Sequence, residues 1–186
     1  MRQSVLRWIY RFRGVLISPP LIFAVLCFSH ETEIDWLVWP LGGLIFLLGL
    51  SLRVWAQQHI QRRLKVQRYL ATTGPYSFVR NPLYIGNMLM CLGVTVASEL
   101  LWLVPIVLLW CAVIYSFVVR YEERYLLARY GQAYRSYMLE IPRWFPRTIC
   151  FRDIGLINEY FRVSIVSEYH CLLLLLPYLI KEIISL

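Results

Sequence analysis

The 186-residue chain carries a formal charge of +8 and is 59% hydrophobic, with a mean hydropathy of +0.57. A soluble domain is close to half apolar, so this composition argues against an ordinary water-soluble fold. Seventeen of the 19 basic residues are arginine. They cluster at the ends of long uncharged runs, as the flanks of membrane helices do, and this argues against a nucleic-acid partner.

In chain order, the first uncharged run covers residues 14–29, between Arg13 and His30. It is short for a span and contains Pro19 and Pro20. A secretory signal would also lie here, after "MRQSVLRWIYRFRG". No small-x-small cleavage site stands near residue 28, so an uncleaved anchor is expected. The next runs cover residues 36–52, 81–98 and 100–119. Each is close to the ~20 residues a helix needs to cross a bilayer. "CLLLLLPYLI", residues 171–180, is too short for a span and reads as part of a re-entrant or interfacial helix.

Arginine placement sets an orientation. Arg2, Arg7, Arg11 and Arg13 precede the first run, whereas "SHETEID" after it carries only acidic charge. Arg53, Arg62, Arg63, Lys65, Arg68 and Arg80 lie between the second and third runs, and Arg120, Arg124, Arg129, Arg135, Arg143 and Arg147 follow the fourth. All basic clusters share one side if four spans leave both termini in the cytoplasm. The expected protein is therefore a single all-α integral membrane domain over residues 1–186. It has four transmembrane helices and a C-terminal re-entrant or interfacial helix. Residues 53–81 and 120–162 meet on the cytoplasmic side.

Cys27, Cys91, Cys111, Cys150 and Cys171 are scattered, and His30, His59 and His170 lie far apart. No metal site is expected from that spacing. The markers of acyl-enzyme and P-loop chemistry are missing.

Two polar segments interrupt the apolar pattern. In "TGPYSFVRNPLY", residues 73–84, Gly74-Pro75 predicts a turn. Asn81 is a favoured N-cap, and Pro82 suits the first helical position. The segment either ends a loop at an Arg80 anchor or presents a helix N-terminus to an anion, with Tyr76 and Tyr84 offering ring faces. In "RYEERYLLARYGQAYRSYMLEIPRWFP", residues 120–146, Glu122 and Glu123 sit just past the fourth run. They belong either to a solvated face paired with arginines or to a site. Gly131 predicts a helix end, with a second helix after it. Pro142 and Pro146 bracket a turn containing Arg143 and Trp144.

In this order and spacing, "LATTGPYSFVRNPLYIG", "EERYLLARYGQAYRSY" and "IPRWFP" resemble the membrane methyltransferase family that includes isoprenylcysteine carboxyl methyltransferases and phospholipid N-methyltransferases. The resemblance covers roughly residues 53–146. It implies a membrane-embedded helical fold, S-adenosylmethionine as methyl donor and a lipophilic acceptor drawn from the bilayer. It also implies a cytoplasmic donor pocket formed by Arg68, Tyr69, Leu70, Ala71, Tyr76, Asn81, Pro82, Leu83, Tyr84 and Glu122. Gln61 matches an upstream glutamine of the family, and Glu123 is a second candidate beside Glu122. Prenylcysteine enzymes usually have His at the position of Asn81, and they place a substrate-binding arginine where this chain has Val118. Arg120 and Arg143 are the candidates to replace that arginine beside Glu122 in catalysis. Without such a replacement, an amine or hydroxyl acceptor is favoured over a prenylcysteine carboxylate. Two other readings stay open: a membrane reductase using NADPH, since such enzymes carry a similar Arg-His-Pro-x-Tyr element, and a non-catalytic membrane protein.

Overall fold

The computed structural model describes residues 3–26, 35–65, 70–146 and 155–175, and every regular element among them is helical. Helix α1 (Gln3–Arg11) is followed at Phe12 by α2 (Arg13–Leu26), α3 (Asp35–Lys65) and α4 (Pro82–Ala97). Then come α5 (Val104–Tyr130), α6 (Gln132–Glu140) and α7 (Phe161–Leu172). Arg68, Tyr69, most of the acidic link after the first run and the region around residue 28 lie outside the described residues.

Helix lengths divide the four expected spans into two classes. The stretches Leu37–Gln61 and Leu101–Tyr130 are long and apolar enough to cross a bilayer, whereas Arg13–Ala24 and Pro82–Ala97 are shorter apolar helices. At 1.5 Å per residue, the 31 residues of α3 reach about 46 Å and the 27 of α5 about 40 Å, against a hydrocarbon core of ~30 Å. Both outrun the core at their arginine-rich ends. The 16 residues of α4 give only about 24 Å. The chain shortens α4 at both ends. Pro82 opens it, and Ser98 and Glu99 close it in a tight turn, with Glu99 in the left-handed region at φ 65°.

Helices α3 and α4 run antiparallel at very close range. Gly42 and Gly49 on α3 face Gly93 and Gly86 on α4, a seven-residue repeat on each helix. A Cβ at Gly42 would lie 2.7 Å from the Gly93 carbonyl oxygen, and one at Gly49 would lie 2.7 Å from that of Gly86. Such contact matters most in lipid, where helices associate through packing rather than through hydrophobic exclusion of water. The other side of α4 packs on α5 through a core that includes Met90, Val94, Val107, Cys111, Tyr115 and Val118. Helices α1 and α2 lie against α5. The outer faces of α3 and α5 stay apolar: Leu44 is 56% exposed and Leu109 is 68% exposed. Faces this greasy are a liability in water and suit lipid.

Of the C-terminal leucine run, residues 176–180 lie outside the described residues. The described helix α7 lies mostly before the leucine run, and it packs on α3. Glu168, a residue that argues against membrane insertion, is buried in α7 and accepts hydrogen bonds from Arg53, with Nε at 2.8 Å and Nη2 at 2.7 Å. Arg53 also donates to the Asn87 side chain. A buried carboxylate is tolerated when it is paired in this way.

The glycine pair at residues 42 and 43 supplies an internal control. Nothing lies within 4 Å of a Cβ on Gly43. Gly42→Ala should lower stability by about 1–3 kcal/mol through overpacking. Gly43→Ala should be neutral or stabilising by about 0.5–1 kcal/mol. Thermal denaturation of both variants in detergent checks this, and equal midpoints would contradict the close approach.

Candidate active site

The loop before α4 is shaped by one glycine and one histidine. Gly74 has φ +62°, a conformation that L side chains rarely adopt, and it packs directly on the His59 ring of α3. His59 Nδ1 lies 2.9 Å from Thr73 Oγ1. The chain then makes a 3₁₀ turn over Gly74–Ser77, which buries Tyr76. Ala71, Ala56 and Tyr76 form a small core with Ile60 and Leu83, so the turn is seated on the overhanging end of α3.

The same loop is tied to the far end of α5 and to α6. The Tyr137 hydroxyl donates to the Tyr76 carbonyl at 2.7 Å. The Arg80 amide donates to the Pro142 carbonyl at 2.9 Å, and the Asn81 side-chain amide to the Arg143 carbonyl at 3.1 Å. Glu123 of α5 sits between two arginines. Its Oε1 is 3.1 Å from Arg80 Nη1, while Arg143 binds both carboxylate oxygens, Nε at 3.0 Å and Nη2 at 2.5 Å. Such two-point contact fixes geometry as well as charge. It also raises the Arg143 pKa above the ordinary value. Burial, reinforced by the Glu123 charge, pushes the Tyr134 phenol up to about 12, and burial raises that of Tyr137. Both phenols therefore stay protonated at neutral pH, and that of Tyr137 acts as the donor to Tyr76.

These ties enclose a cavity of about 310 Å³ where α1, the overhanging end of α3, the start of α4 and the overhanging end of α5 meet. Tyr76, Asn81, Leu83, Tyr84 and Glu122 line it, together with Arg80. Tyr84 and Glu122 interact directly. At the start of α4, the amides of Tyr84 and Ile85 bond to the Asn81 carbonyl and Pro82 has no N–H. The Leu83 amide is thus the one first-turn donor left to a ligand.

Among the described residues, the other expected site residues do not line this cavity, and Arg68 and Tyr69 lie outside the description. Pro82 is buried as the first residue of α4. Ala71 supports the loop from behind, and Leu70 and Gln61 are half-buried outside the cavity lining, which takes Ile60 from the turn of Gln61. Glu123 and Arg143 hold each other rather than the cavity. Arg120 is exposed, with its guanidinium 6.0 Å from the Phe117 ring centre. Val118, one turn before Glu122, is fully buried in the core.

Tyr10, Ile60, Tyr121, Tyr125 and Leu126 also line the cavity and were not expected from the sequence. Tyr125 and Leu126 were legible in principle, because they follow Glu122 at i+3 and i+4 on one helix face. Tyr10 was not. It arrives from α1 and stacks beside Tyr121, with ring centres 5.1 Å apart.

An all-helical membrane protein whose two longest helices overhang to wall a tyrosine-rich cavity is the class that this fold and site define. Residues 38–133 match the phospholipid methyltransferase family, and the chain belongs to that family. It is 33% identical over 135 residues to the cobalt-zinc-cadmium resistance protein CzcN of Cupriavidus metallidurans, covering 70% of this chain and 61% of that protein. It is 34% identical over 141 residues to the nickel-cobalt-cadmium resistance protein NccN of Alcaligenes xylosoxydans xylosoxydans, covering 75% of this chain and 65% of that protein. The chain therefore spans less than two thirds of the length of either relative. No solved structure matches it.

The division of labour between the two glutamates is testable. Glu123→Gln should weaken the ties to Arg80 and Arg143 and cost about 1.5–3 kcal/mol of stability, the value of a charged hydrogen bond. Glu122→Gln should change stability far less. Thermal melts of both variants decide this, and a larger loss for Glu122→Gln would reverse the assignment.

Proposed function

We propose that this chain is an S-adenosylmethionine-dependent methyltransferase acting on a lipophilic acceptor at the cytoplasmic face of a membrane. The observation that carries the proposal is the convergence of Tyr76, Asn81, Leu83, Tyr84 and Glu122 on one cavity in a member of the phospholipid methyltransferase family.

The cavity suits the donor chemically. The donor is a sulfonium with a carboxylate, an amine and a flat base. Five tyrosines, namely Tyr10, Tyr76, Tyr84, Tyr121 and Tyr125, offer faces that attract cations and stack on planar rings. The Glu122 carboxylate matches the amine. The Leu83 amide at the start of α4, with Arg80 beside it, matches the carboxylate. When bound, the donor supplies an activated methyl group: the acceptor's lone pair forms the new bond to carbon while the carbon–sulfur pair returns to sulfur.

The residues of this chain have the task of positioning. Holding two reactants in line is worth about 7–11 kcal/mol of barrier. Tyr84 and Glu122 fix each other across the cavity, and the Glu123 bridge keeps the Arg80–Asn81 wall in register. The tyrosine rings narrow the space around the reactants. An amine acceptor would release a proton after attack, and a cavity at the membrane edge lets water take it. The outward faces of α3 and α5 border lipid, so an acceptor reaches the cavity from the bilayer while the donor enters from the aqueous side.

The arginine distribution supports four spans with both termini in the cytoplasm, with α2 and α4 as the short members. Reporters fused after residues 34 and 66 should then appear on opposite sides of the membrane. Metal resistance, printed in the names of both relatives, fits this reading if the methylated product is a membrane component.

Calorimetry on the detergent-purified protein tests the donor. S-adenosylmethionine should bind and NADPH should not. Glu122→Gln should weaken donor binding roughly ten- to a hundredfold, as expected for losing a charged hydrogen bond. Binding of NADPH alone would move the chain to the reductase class, and binding of neither would leave the fold without this chemistry.

A further inference from the structure

Two adjacent polar side chains of α3, Gln58 and His59, are buried at 1% and 5% exposure, and neither lines the donor cavity. Both reach a segment 96 to 100 residues further along the chain. Gln58 Nε2 donates to the Leu156 carbonyl at 3.0 Å, and the Asn158 amide donates back to Gln58 Oε1 at 3.0 Å. His59 Nε2 lies 3.3 Å from the Gly155 carbonyl. The segment then leads into α7, where Glu168 pairs with Arg53, so it is fixed to α3 at both ends. All of it lies beyond residue 133, where the family match ends.

The His59 ring joins this segment to the loop before α4. A carbonyl can only accept, so in the neutral ring the contact with Gly155 places the proton on Nε2. Nδ1 is then an acceptor, and the Thr73 hydroxyl donates to it at 2.9 Å. The tautomer that serves the loop is thus set by the distant segment. Gly74 rests on the same ring. Gly74 and Gly155 both hold the left-handed backbone conformation, at φ 62° and φ 45°. Two residues past Gly74, Tyr76 enters the donor cavity. The ties from Tyr137, Pro142 and Arg143 hold the later part of this loop, and His59 holds its entry.

We infer that residues 155–158 form a strap that positions the entry of the donor loop through His59, with Gln58 as its clasp. His59 is a positioning residue: it acts on Tyr76 through Thr73 and Gly74 and does not touch the cavity. The inference rests on the methyltransferase reading for the identity of the donor, whereas the strap itself is a property of the free protein. Buried polar side chains are costly unless paired, and here the pairing makes the position of the loop depend on the strap. Small displacements of a positioning element are felt strongly at a site that works by holding its reactants in line.

Amide hydrogen exchange and donor calorimetry on the full chain in detergent test this together. Thr73→Val removes the hydroxyl and keeps the shape, Thr73→Ser keeps the hydroxyl, and Gln58→Met opens the clasp. In the free protein, Thr73→Val and Gln58→Met should each speed exchange in the peptide covering residues 72–79, and Thr73→Ser should leave it slow. Thr73→Val and Gln58→Met should each weaken S-adenosylmethionine binding about two- to tenfold, the effect of losing one neutral hydrogen bond. Adding Gln58→Met to Thr73→Val should weaken it little further, because both changes act through one ring. Gln58→Glu keeps the acceptor and loses the donor; it is the milder variant of the same clasp and should move both readouts in the same direction. Unchanged exchange of that peptide in the Gln58 variants, or fully additive losses of donor affinity in the double variant, would overturn the inference and leave Gln58 and His59 as ordinary ties of the core. Exchange that responds while the unmutated chain binds no donor would uphold the strap and contradict the methyltransferase reading.

Discussion

Among the described residues, Glu123 is the one carboxylate shared by two arginines at the basic end of the molecule. One carboxylate on α5 holds Arg80, which precedes α4, and Arg143, which follows α6. Those arginines stand 63 residues apart in sequence, and without a shared partner nothing local would bring their loops together. With it, the backbone around Arg80 and Asn81 is stitched to the 142–143 turn, and Tyr137 reaches the carbonyl of Tyr76. The cavity wall is therefore a loop held from behind by polar ties. Its inner surface is left to aromatic rings and the free amide of Leu83.

That wall matters because of where the helices end. The α3 and α5 helices are long enough to cross a hydrocarbon core and continue beyond it, while α4 starts at Pro82, level with the overhang. The contact of α3 with α4 through Gly42, Gly49, Gly86 and Gly93 sets how near the two overhangs stand to the α4 start. The site is thus a product of unequal helix lengths around a tight glycine-lined pair. Polar groups that would be costly in lipid collect where the helices leave it.

Much of this was legible in the sequence, for identifiable reasons. Pro82 and Gly131 mark helix boundaries because each restricts the backbone locally, and the structure starts α4 at Pro82 and ends α5 just before Gly131. The grouping of Tyr76, Asn81, Leu83, Tyr84 and Glu122 was legible through family resemblance rather than periodicity. The N-cap role of Asn81 was only half right. Asn81 occupies the cap position, but its side chain turns to the Arg143 carbonyl instead of capping the helix, a tertiary contact that overrides local preference. The third run, treated in the sequence like the second and fourth, gives a shorter helix than either, because hydropathy counts residues and not the turn that shortens α4. Tyr10 in the cavity and the Arg53–Glu168 pair were invisible for one shared reason: their partners lie on elements distant in sequence, and no local pattern announces such a meeting.

The central claim is that the donor sits between the 73–84 loop and the overhang of α5. Ultraviolet crosslinking of radiolabelled S-adenosylmethionine to the purified protein, followed by peptide mapping, tests it directly, since the proposed site is dense in tyrosine. The label should fall on peptides containing Tyr76, Tyr84, Tyr121 or Tyr125, and excess unlabelled donor should prevent it. Labelling confined to α7 or to the outer faces of α3 and α5, or labelling that excess donor does not displace, would contradict the account.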